Sequence, residues 1–323
     1  MKMQKVTIAG AGVLGSQIGF QSAVKGKDVT FWLRSEGSID RAKERIDRWR
    51  NEYLKDLDYV KTQIGQNNPV YPAGLIDDFA SLTPEKVDKI KQDVENAYNS
   101  LKYETDMAKA VAGADFVIEA VAELKDEKHA FFQELAKHLK GDTIVASNSS
   151  TLLPSYFAED TGRPEKYLHF HFANEIWRLN IGEIMVHKST DPKAKEAVVQ
   201  FAKEIGMVPV VVKKEQPGYI LNSLLVPLLN AANYLLVHDI ASVEDIDSTW
   251  RISTGAPKGP FEFLDIIGLV TPYNLELMKP GADDPETTSG KIVKLYKEKI
   301  DRGELGIAAG KGFYTYDKNG NKI

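Results

Sequence analysis

One histidine and one glutamate in the middle of the chain have the side chains that proton transfer at a carbonyl group requires. His171 ends an apolar run, and Glu183 follows it by 12 positions. Histidine gives and takes a proton near neutral pH because its unperturbed pKa is about 6.5. A carboxylate on its other ring nitrogen fixes the tautomer and stabilises the imidazolium. These two residues form an acid/base pair if the fold brings them together.

A second histidine, His169, is predicted to share a strand face with His171. The run 167–172 is typical of a strand, and its two-residue period places both histidines on one side. A histidine on an apolar strand is more often a hydrogen-bonded core residue than a catalyst. We give His169 that interpretation and select His171 by its spacing from other motifs.

The N-terminal residues have the pattern of a strand, a glycine turn and a helix. An apolar run at 6–9 precedes Gly10, and apolar residues recur at helical spacing from 16 to 25. Gly10 permits a tight turn, Gly12 lets a pyrophosphate approach the backbone, and Gly15 lets the helix pack closely on the strand. In this context the pattern predicts dinucleotide binding. The predicted phosphate-binding positions are Gly10, Gly12, Val13, Leu14 and Gly15.

Length and composition indicate a two-domain globular protein. A chain of 323 residues is longer than one hydrophobic core usually serves. A formal net charge of -5 provides no electrostatic basis for nucleic-acid binding. The absence of cysteine excludes disulfides, thiolate catalysis and cysteine metal sites, and we expect no metal. It also fits a reducing cytoplasm, as does the lack of an apolar signal segment at the N-terminus.

Alternating apolar strands and helices predict that residues 1–213 form an α/β domain with a doubly wound, largely parallel sheet of the Rossmann type. After the first strand, the predicted strands are 28–33, 101–105, 114–121, 143–147, 167–172, 181–187 and 208–212. A helix is predicted at 131–139.

A helical hairpin, at about 38–100, is predicted as an insertion in this domain. The segment 38–61 is highly charged, with apolar residues at helical spacing, which suggests a long exposed helix. Breaks at 67–69 and 72–74 precede a second helix, for which Thr83 and Pro84 are the predicted cap and first-turn residue. A solvated decoration of the fold is the alternative interpretation.

The residues from 214 to 323 are predicted to form an all-helical domain. Its predicted helices are 219–237, 243–250, 260–267 and 291–299. The most apolar stretch, 220–237, contains Asn222, Pro227 and two further asparagines. It therefore favours a buried helix over a membrane span.

Together these motifs make the chain similar to the L-3-hydroxyacyl-CoA dehydrogenase family, at the branch that also contains 3-hydroxybutyryl-CoA dehydrogenases and diketoreductases. The resemblance runs nearly end to end. Besides Glu183, the matching blocks are 147–150, 171–174, 217–222, 259–262, 265–269 and 310–316.

The resemblance implies a role for each matching polar residue. His171 would be the acid that reduces a 3-keto group and the base that oxidises a 3-hydroxyl group, oriented by Glu183. Ser150, Asn174 and Asn222 would polarise the substrate oxygen, because fixed donors in a dry site stabilise developing charge. Taken singly, a serine or asparagine is more often a cap or turn residue.

The resemblance also implies cofactor contacts and assembly. Glu123 would contact the nicotinamide ribose, and Lys128 and Asn148 match further cofactor positions. Glu123 and Lys128 could instead be ordinary surface charges. The substrate would be a small acyl-CoA or 3-keto acid, and the helical domain would form a homodimer.

One departure from the family bears on the choice of NAD or NADP. NAD-specific sites usually have an acidic residue at the end of the second strand, which binds the adenine ribose. Here Leu33 is followed by Arg34 and Ser35. A guanidinium attracts a phosphate, and apart from Glu36 we expect no nearby acid to repel one. The family uses NAD, but this sequence predicts that NADP is accepted as well.

A second departure bears on the substrate. Family members acting on acyl-CoA usually have His-Phe-Phe-Asn-Pro at the catalytic histidine, whereas here Asn174 is followed by 175–180 without proline. Trp177 and Arg178 could change the walls near the reacting carbon, with Arg178 as a partner for a substrate carboxylate. The substrates that remain open are short acyl-CoA thioesters, free 3-keto acids and dicarbonyl compounds. Alternatively, Trp177 is core and Arg178 is surface.

Two other classes of protein share features with this chain. Dehydrogenases of the 3-hydroxyisobutyrate and 6-phosphogluconate type use a lysine on the helix that carries Asn222, but Leu221 precedes that asparagine here. A non-catalytic, crystallin-like nucleotide-binding protein would retain the fold without activity. The intact set of polar site residues favours an enzyme.

Overall fold

The computed structural model describes residues 3–66, 70–317, 320 and 322–323, and the predicted break at 67–69 lies outside them. Within this part of the chain the strands are β1 Lys5–Ala9, β2 Asp28–Trp32, β3 Lys102–Glu104, β4 Phe116–Glu119, β5 Ile144–Ser147, β6 Tyr167–Phe172, β7 Ile181–Met185 and β8 Val208–Val212. The α-helices are α1 Val13–Val24, α2 Glu36–Gln63, α3 Pro84–Ser100, α4 Met107–Ala110, α5 Lys125–His138, α6 Pro192–Glu204, α7 Leu221–Val237, α8 Val243–Thr254, α9 Pro260–Ile267, α10 Val270–Glu276 and α11 Thr288–Asp301. Short 3₁₀ turns are Pro154–Tyr156, Glu159–Thr161, Pro164–Lys166 and Ile307–Ala309.

The described strands form one sheet in the order β3-β2-β1-β4-β5-β6-β7-β8. Neighbouring strands are parallel except at β6–β7, so β7 and β8 run against the rest. The first six positions have the order of a Rossmann sheet, in which ligands bind at the carboxyl ends of the strands. The predicted fold class, an α/β sheet followed by a helical domain, is confirmed.

The register of the parallel strands aligns the site at one edge of this sheet. Ala9 pairs with Glu119, Glu119 with Ser147, and Ser147 with His169. The glycine turn after β1, the loop after β5 and the end of β6 therefore emerge at the same edge. Three interstrand spacings separate β1 from β6, which is about 14 Å. Because β7 is antiparallel, the 173–180 loop also lies at this edge.

The inserted hairpin consists of α2 and α3. One side of α2 is buried, although its high charge suggested an exposed helix. The prediction of Thr83 and Pro84 at the start of α3 is confirmed: the Thr83 side chain accepts a hydrogen bond from the Lys86 amide. The expectation that α2 is simply exposed was wrong, since one stripe of it is buried. That stripe consists of Ala42, Ile46, Tyr53, Leu57 and Val60. Ion pairs such as Arg50–Glu95, at 2.7 Å, join the outer faces of the two helices.

The chain divides into two compact units, the first ending at Ile220 and the second beginning at Leu221. The boundary expected after Lys213 is a few residues earlier. In the second unit the buried Asp265 carboxylate accepts hydrogen bonds from Phe313 N, Tyr314 N and the Tyr316 hydroxyl. The closing 310–316 motif is thus held on α9. Helices α4, α6 and α10 were not predicted. None of the described helices is long and apolar enough to cross a membrane.

The glycines of the first turn have different local surroundings. Gly10 has a φ of +103°, and a Cβ there would lie 2.6 Å from Ala120 O. A Cβ on Gly15 would lie 2.3 Å from Gly10 O, so the turn would have to move. A Cβ on Gly12 would meet no protein atom within 4 Å. Packing therefore requires glycine at positions 10 and 15 but not at 12.

Alanine substitutions should separate these requirements. We expect Gly15→Ala to lower the free energy of unfolding by about 1–3 kcal/mol, because an extra methyl group is forced against backbone. Gly12→Ala should stay within about 0.5 kcal/mol of the parent, because a poorer N-cap and a less flexible unfolded chain offset each other. Urea unfolding measures both free energies. Equal losses of stability in the two variants would contradict the conclusion that packing requires glycine at position 15 but not at position 12.

Candidate active site

His171 and Glu183 lie opposite each other on neighbouring antiparallel strands. They are a register pair of β6 and β7, and opposed residues in such a pair have Cβ atoms about 5 Å apart. His171 Nδ1 is 3.1 Å from Glu183 Oε2, and the two residues are only 3% and 2% exposed. Glu183 Oε1 accepts a hydrogen bond from the Ile220 amide. The carboxylate is therefore held where it can accept a hydrogen bond from Nδ1–H of His171.

Ser150 is next to the other nitrogen of the same ring. Its Oγ lies 3.2 Å from His171 Nε2. Because Nδ1–H donates its hydrogen bond to Glu183, Nε2 is the nitrogen left to exchange a proton with a substrate. Ser150 and a reacting oxygen at Nε2 would thus be neighbours. The predicted Ser150, His171 and Glu183 are brought together by the fold.

Glu123 organises the loop that carries Ser150. Its Oε1 accepts hydrogen bonds from the amides of Ser150 and Thr151 and from two hydroxyls, Ser149 Oγ and Thr151 Oγ1. Burial alone would raise the pKa of Glu123, but Lys128 and these donors lower it overall. The carboxylate is therefore kept ionised as an anchor for the loop.

Lys128 is buried, so the interpretation as a surface charge is wrong for this residue. It is 1% exposed, and its Nζ lies 2.6 Å from Glu119 Oε1 and 3.3 Å from Glu123 Oε2. Glu119, which was not predicted, is fully buried and also accepts a hydrogen bond from Ser147 Oγ. One cation thus lies between two carboxylates and offsets part of their charge. Removing one partner of a buried pair typically costs about 3–5 kcal/mol.

His169 is a core residue, as its interpretation predicted. Its Nε2 lies 3.0 Å from the Tyr167 hydroxyl and its Nδ1 lies 3.0 Å from the Tyr219 hydroxyl. Burial, followed by the nearby Lys128 and His171, lowers the pKa of His169 well below its usual range. This histidine remains neutral and serves as a hydrogen-bonding link.

Tyr219 is a site residue that was not singled out from the sequence. Its ring stacks on the His171 ring, with centroids 4.5 Å apart and an interplanar angle of 14°. Its backbone φ is +54°, a left-handed conformation that is uncommon outside glycine. The signal available in the sequence was its place in the 217–222 block. The sequence of that block does not by itself predict that its tyrosine contacts His171.

The asparagines predicted for the site have different environments. Asn148 is buried, and its Oδ1 accepts a hydrogen bond from the Phe172 amide, which ties the loop after β5 to β6. Asn174 is exposed at the start of the loop after β6. Gln17 on α1 holds that loop by accepting from the Glu175 and Ile176 amides. Asn222 is in the first turn of α7, in the second unit, and its role stays a prediction.

Arg178 is already paired with acids of the protein, which disfavours the suggested role as partner for a substrate carboxylate. Its guanidinium forms a bidentate pair with Asp56, at 2.6 and 2.8 Å, and also contacts Glu52 and Glu175. Trp177 is 1% exposed and donates to the same Asp56 carboxylate. The two residues therefore hold the loop after β6 on helix α2.

The glycine turn fits the pyrophosphate of a dinucleotide. Gly12 is the N-cap of α1, whose first turn contains no acidic residue, and open space faces the position of its missing Cβ. The free amides and dipole at a helix N-terminus favour an anion. Val13, half exposed, and Leu14 supply the first amides of this helix.

An acid faces Arg34 just after β2, contrary to the expectation from the sequence. Glu127 Oε2 lies 2.6 Å from the Arg34 guanidinium, although Glu127 is remote in sequence. Ser35 is the N-cap of α2, and its Oγ contacts Ser38 Oγ, which accepts from Arg41. Two cations and two hydroxyls therefore lie near the start of α2, with one of the cations paired to a carboxylate.

Two family models match the chain. The 3-hydroxyacyl-CoA dehydrogenase NAD binding domain matches residues 74–216, and the C-terminal domain of the same enzymes matches residues 218–316. The first match begins after the glycine turn. Together they include well over half of the chain.

Individual relatives extend the similarity to nearly the whole chain. The mitochondrial hydroxyacyl-coenzyme A dehydrogenase of Rattus norvegicus is 32% identical, covering 97% of this chain and 91% of the relative. The 3-hydroxybutyryl-CoA dehydrogenase of Bradyrhizobium diazoefficiens is 27% identical, covering 97% and 96%. A solved structure of a diketoreductase, described as acting on dicarbonyl compounds, is 42% identical with a TM-score of 0.81, covering 98% and 100%. The chain therefore belongs to the 3-hydroxyacyl-CoA dehydrogenase family of oxidoreductases that act on CH–OH groups.

Proposed function

We propose that the protein interconverts a 3-hydroxyacyl and a 3-ketoacyl group with NAD or NADP, using His171 as the acid and base. The observation that carries this proposal is the position of the imidazole between Glu183 at Nδ1 and Ser150 at Nε2. Family membership supports the reaction class.

The residues around the ring have complementary tasks in this reaction. In reduction His171 Nε2 donates a proton to the carbonyl oxygen, and in oxidation the same nitrogen accepts the proton of the hydroxyl group. Glu183 stabilises the imidazolium, and Ser150 donates a hydrogen bond to the reacting oxygen. Asn174 and Asn222 are further proposed donors. When bound, a nicotinamide would supply or accept the hydride at the same carbon.

We propose that NADP is accepted alongside NAD, the cofactor that the family model names. Arg34 and Arg41, with the hydroxyls of Ser35 and Ser38, could bind a phosphate on the adenine ribose. Glu127 opposes this, because its carboxylate is paired with Arg34. The balance between these charges sets the cofactor preference.

The other predicted cofactor residues are proposed to act in two ways. The carboxylate of Glu123 is partly exposed, which suits a contact with the nicotinamide ribose. The burial of Lys128 and Asn148 favours support of the surrounding loops over direct cofactor contact.

A neutral dicarbonyl compound is the second candidate substrate. It is favoured by the 42% identity to a diketoreductase structure, compared with 32% to the rat acyl-CoA enzyme. Free 3-keto acids lose support because the Arg178 guanidinium is paired within the protein. Oxidation of reduced cofactor with acetoacetyl-CoA, a 3-keto ester and a dicarbonyl ester would identify the class. No turnover of any of them would favour the non-catalytic alternative.

We also propose a homodimer through the second unit. Helix α7 is mostly apolar, yet only three of its residues are buried, Leu229, Ala232 and Asn233. An exposed apolar stripe runs along its other side and consists of Leu224, Pro227, Ala231 and Tyr234. Such a stripe is typical of a protein interface, and most homo-oligomers are twofold dimers.

Replacing the proposed acid should abolish most of the turnover. We expect His171→Ala to lower kcat by about 10³-fold and Glu183→Gln by about 10²-fold, in the range for general acid–base catalysis. His138→Ala, on the half-buried end of α5, should leave kcat within about twofold. Steady-state kinetics measure all three, and less than a tenfold loss in His171→Ala would exclude the proposed role.

Charge changes at the end of β2 should shift the cofactor preference. We expect Arg34→Glu to lower kcat/KM for NADPH relative to NADH by at least about tenfold, because a hydrogen bond to a charged group contributes about 1.5 kcal/mol or more. Glu127→Gln should change the ratio in the opposite direction. If neither substitution moves the ratio, the phosphate is bound elsewhere.

A charge within the apolar stripe should dissociate the dimer. Leu224, 70% exposed, is the residue to change. Sedimentation velocity should show a dimer for the parent protein and a monomer for Leu224→Asp. Tyr59→Asp, at a 54% exposed residue of α2, is the matched control and should stay dimeric. A monomeric parent would contradict the proposal.

A further inference from the structure

We propose that Tyr219 is a positioning residue that holds the His171 ring and the Ser150 loop in register with each other. This inference rests on the function proposed for His171. Tyr219 contacts both partners, the ring by stacking and the loop through its hydroxyl. The two contacts use different parts of the side chain and can be removed separately.

The stacking contact supplies a restraint that Glu183 cannot. One hydrogen bond at Nδ1 fixes a single edge of the imidazole and leaves the ring free to tilt about that point. The Tyr219 ring lies against the face of His171 at 4.5 Å and nearly parallel to it. With the edge and one face both held, Nε2 is directed at Ser150 Oγ.

The hydroxyl contact holds the backbone before Ser150. Tyr219 Oη donates to Ser149 O at 2.8 Å, and the adjacent Gly218 amide donates to Ser150 O. Glu123 holds the same loop through the Ser150 and Thr151 amides. The carbonyls and the amides of this loop are thus fixed by different elements, and the serine hydroxyl is oriented between them.

The direction of the Tyr219 hydroxyl determines how His169 hydrogen-bonds to it. Because the hydroxyl proton is used at the Ser149 carbonyl, the Tyr219 oxygen accepts from His169 Nδ1–H. His169 Nε2 then accepts from Tyr167. Burial raises the pKa of Tyr219 well above its usual range, so the donor proton is retained.

The backbone at this residue agrees with a positioning role. Gly218 and Tyr219 have successive φ values of +80° and +54°. A left-handed conformation at a residue with a side chain is unfavourable, and it persists where surrounding contacts determine it. Here those contacts are His171, His169 and Ser149.

The test compares Tyr219→Phe with Tyr167→Phe, using the substrate that the wild-type protein turns over. Each variant removes one buried hydroxyl bonded to His169, but only Tyr219 reaches Ser149. We expect Tyr219→Phe to lower kcat by about tenfold, the effect of losing one hydrogen bond. KM should stay within about twofold, and Tyr167→Phe should keep kcat within about twofold. Equal loss of kcat in both variants would overturn the proposal.

Tyr219→Leu removes the stacked ring as well. We expect kcat to fall by about 10²-fold, because a displaced catalytic group loses its alignment with the substrate. A crystal structure of this variant should show the His171 ring rotated and its Nε2 more than 3.5 Å from Ser150 Oγ. An unmoved ring would overturn the positioning role whether or not the protein has the proposed activity. If the wild-type protein turns over none of the substrates, that result counts against the proposed function and not against the positioning role.

Discussion

The antiparallel pairing of β6 with β7 is the constraint on which the site depends. A parallel neighbour would need a long crossover connection, whereas here a short loop returns the chain along the same edge. Glu183 thereby comes directly opposite His171, and the hydrogen-bond ladder fixes their separation. The pair is placed by rigid backbone, which keeps it buried and aligned.

Buried charge is used around this pair to hold loops. Glu119 and Glu123 share Lys128, and Glu123 in turn binds the loop that carries Ser150. On the other side, Asp56 binds Arg178 and fixes the loop after β6. Carboxylates suit this task because each accepts several hydrogen bonds, and hydrogen bonds to charged groups are stronger than those between neutral groups. The loops of the site are thus anchored to helices and strands.

Much of the fold was predictable because apolar periodicity reports on burial, and burial defines strands and helices. The predicted strands and the start of α3 at Pro84 agree with the structure to within a few residues. Helices α4 and α10 were not predicted, since their four and seven residues are too few for a clear pattern. Helix α6, of 13 residues, was not predicted either. The buried side of α2 was not predicted either. The many charged residues on its exposed face led to the prediction of an exposed helix.

The sequence by itself determined the class of fold, the glycine turn, and the choice of His171 and Glu183 as candidate catalytic residues, because residue types and local spacing carry that information. Ser150 was chosen through the resemblance to a known family. Only the tertiary structure decided which side chains meet. The stacking of Tyr219 on His171 joins residues that are remote in the chain. The same holds for the pairing of Glu127 with Arg34 and of Asp56 with Arg178. Such contacts follow from how strands and helices pack, and local sequence contains no record of a partner so far away.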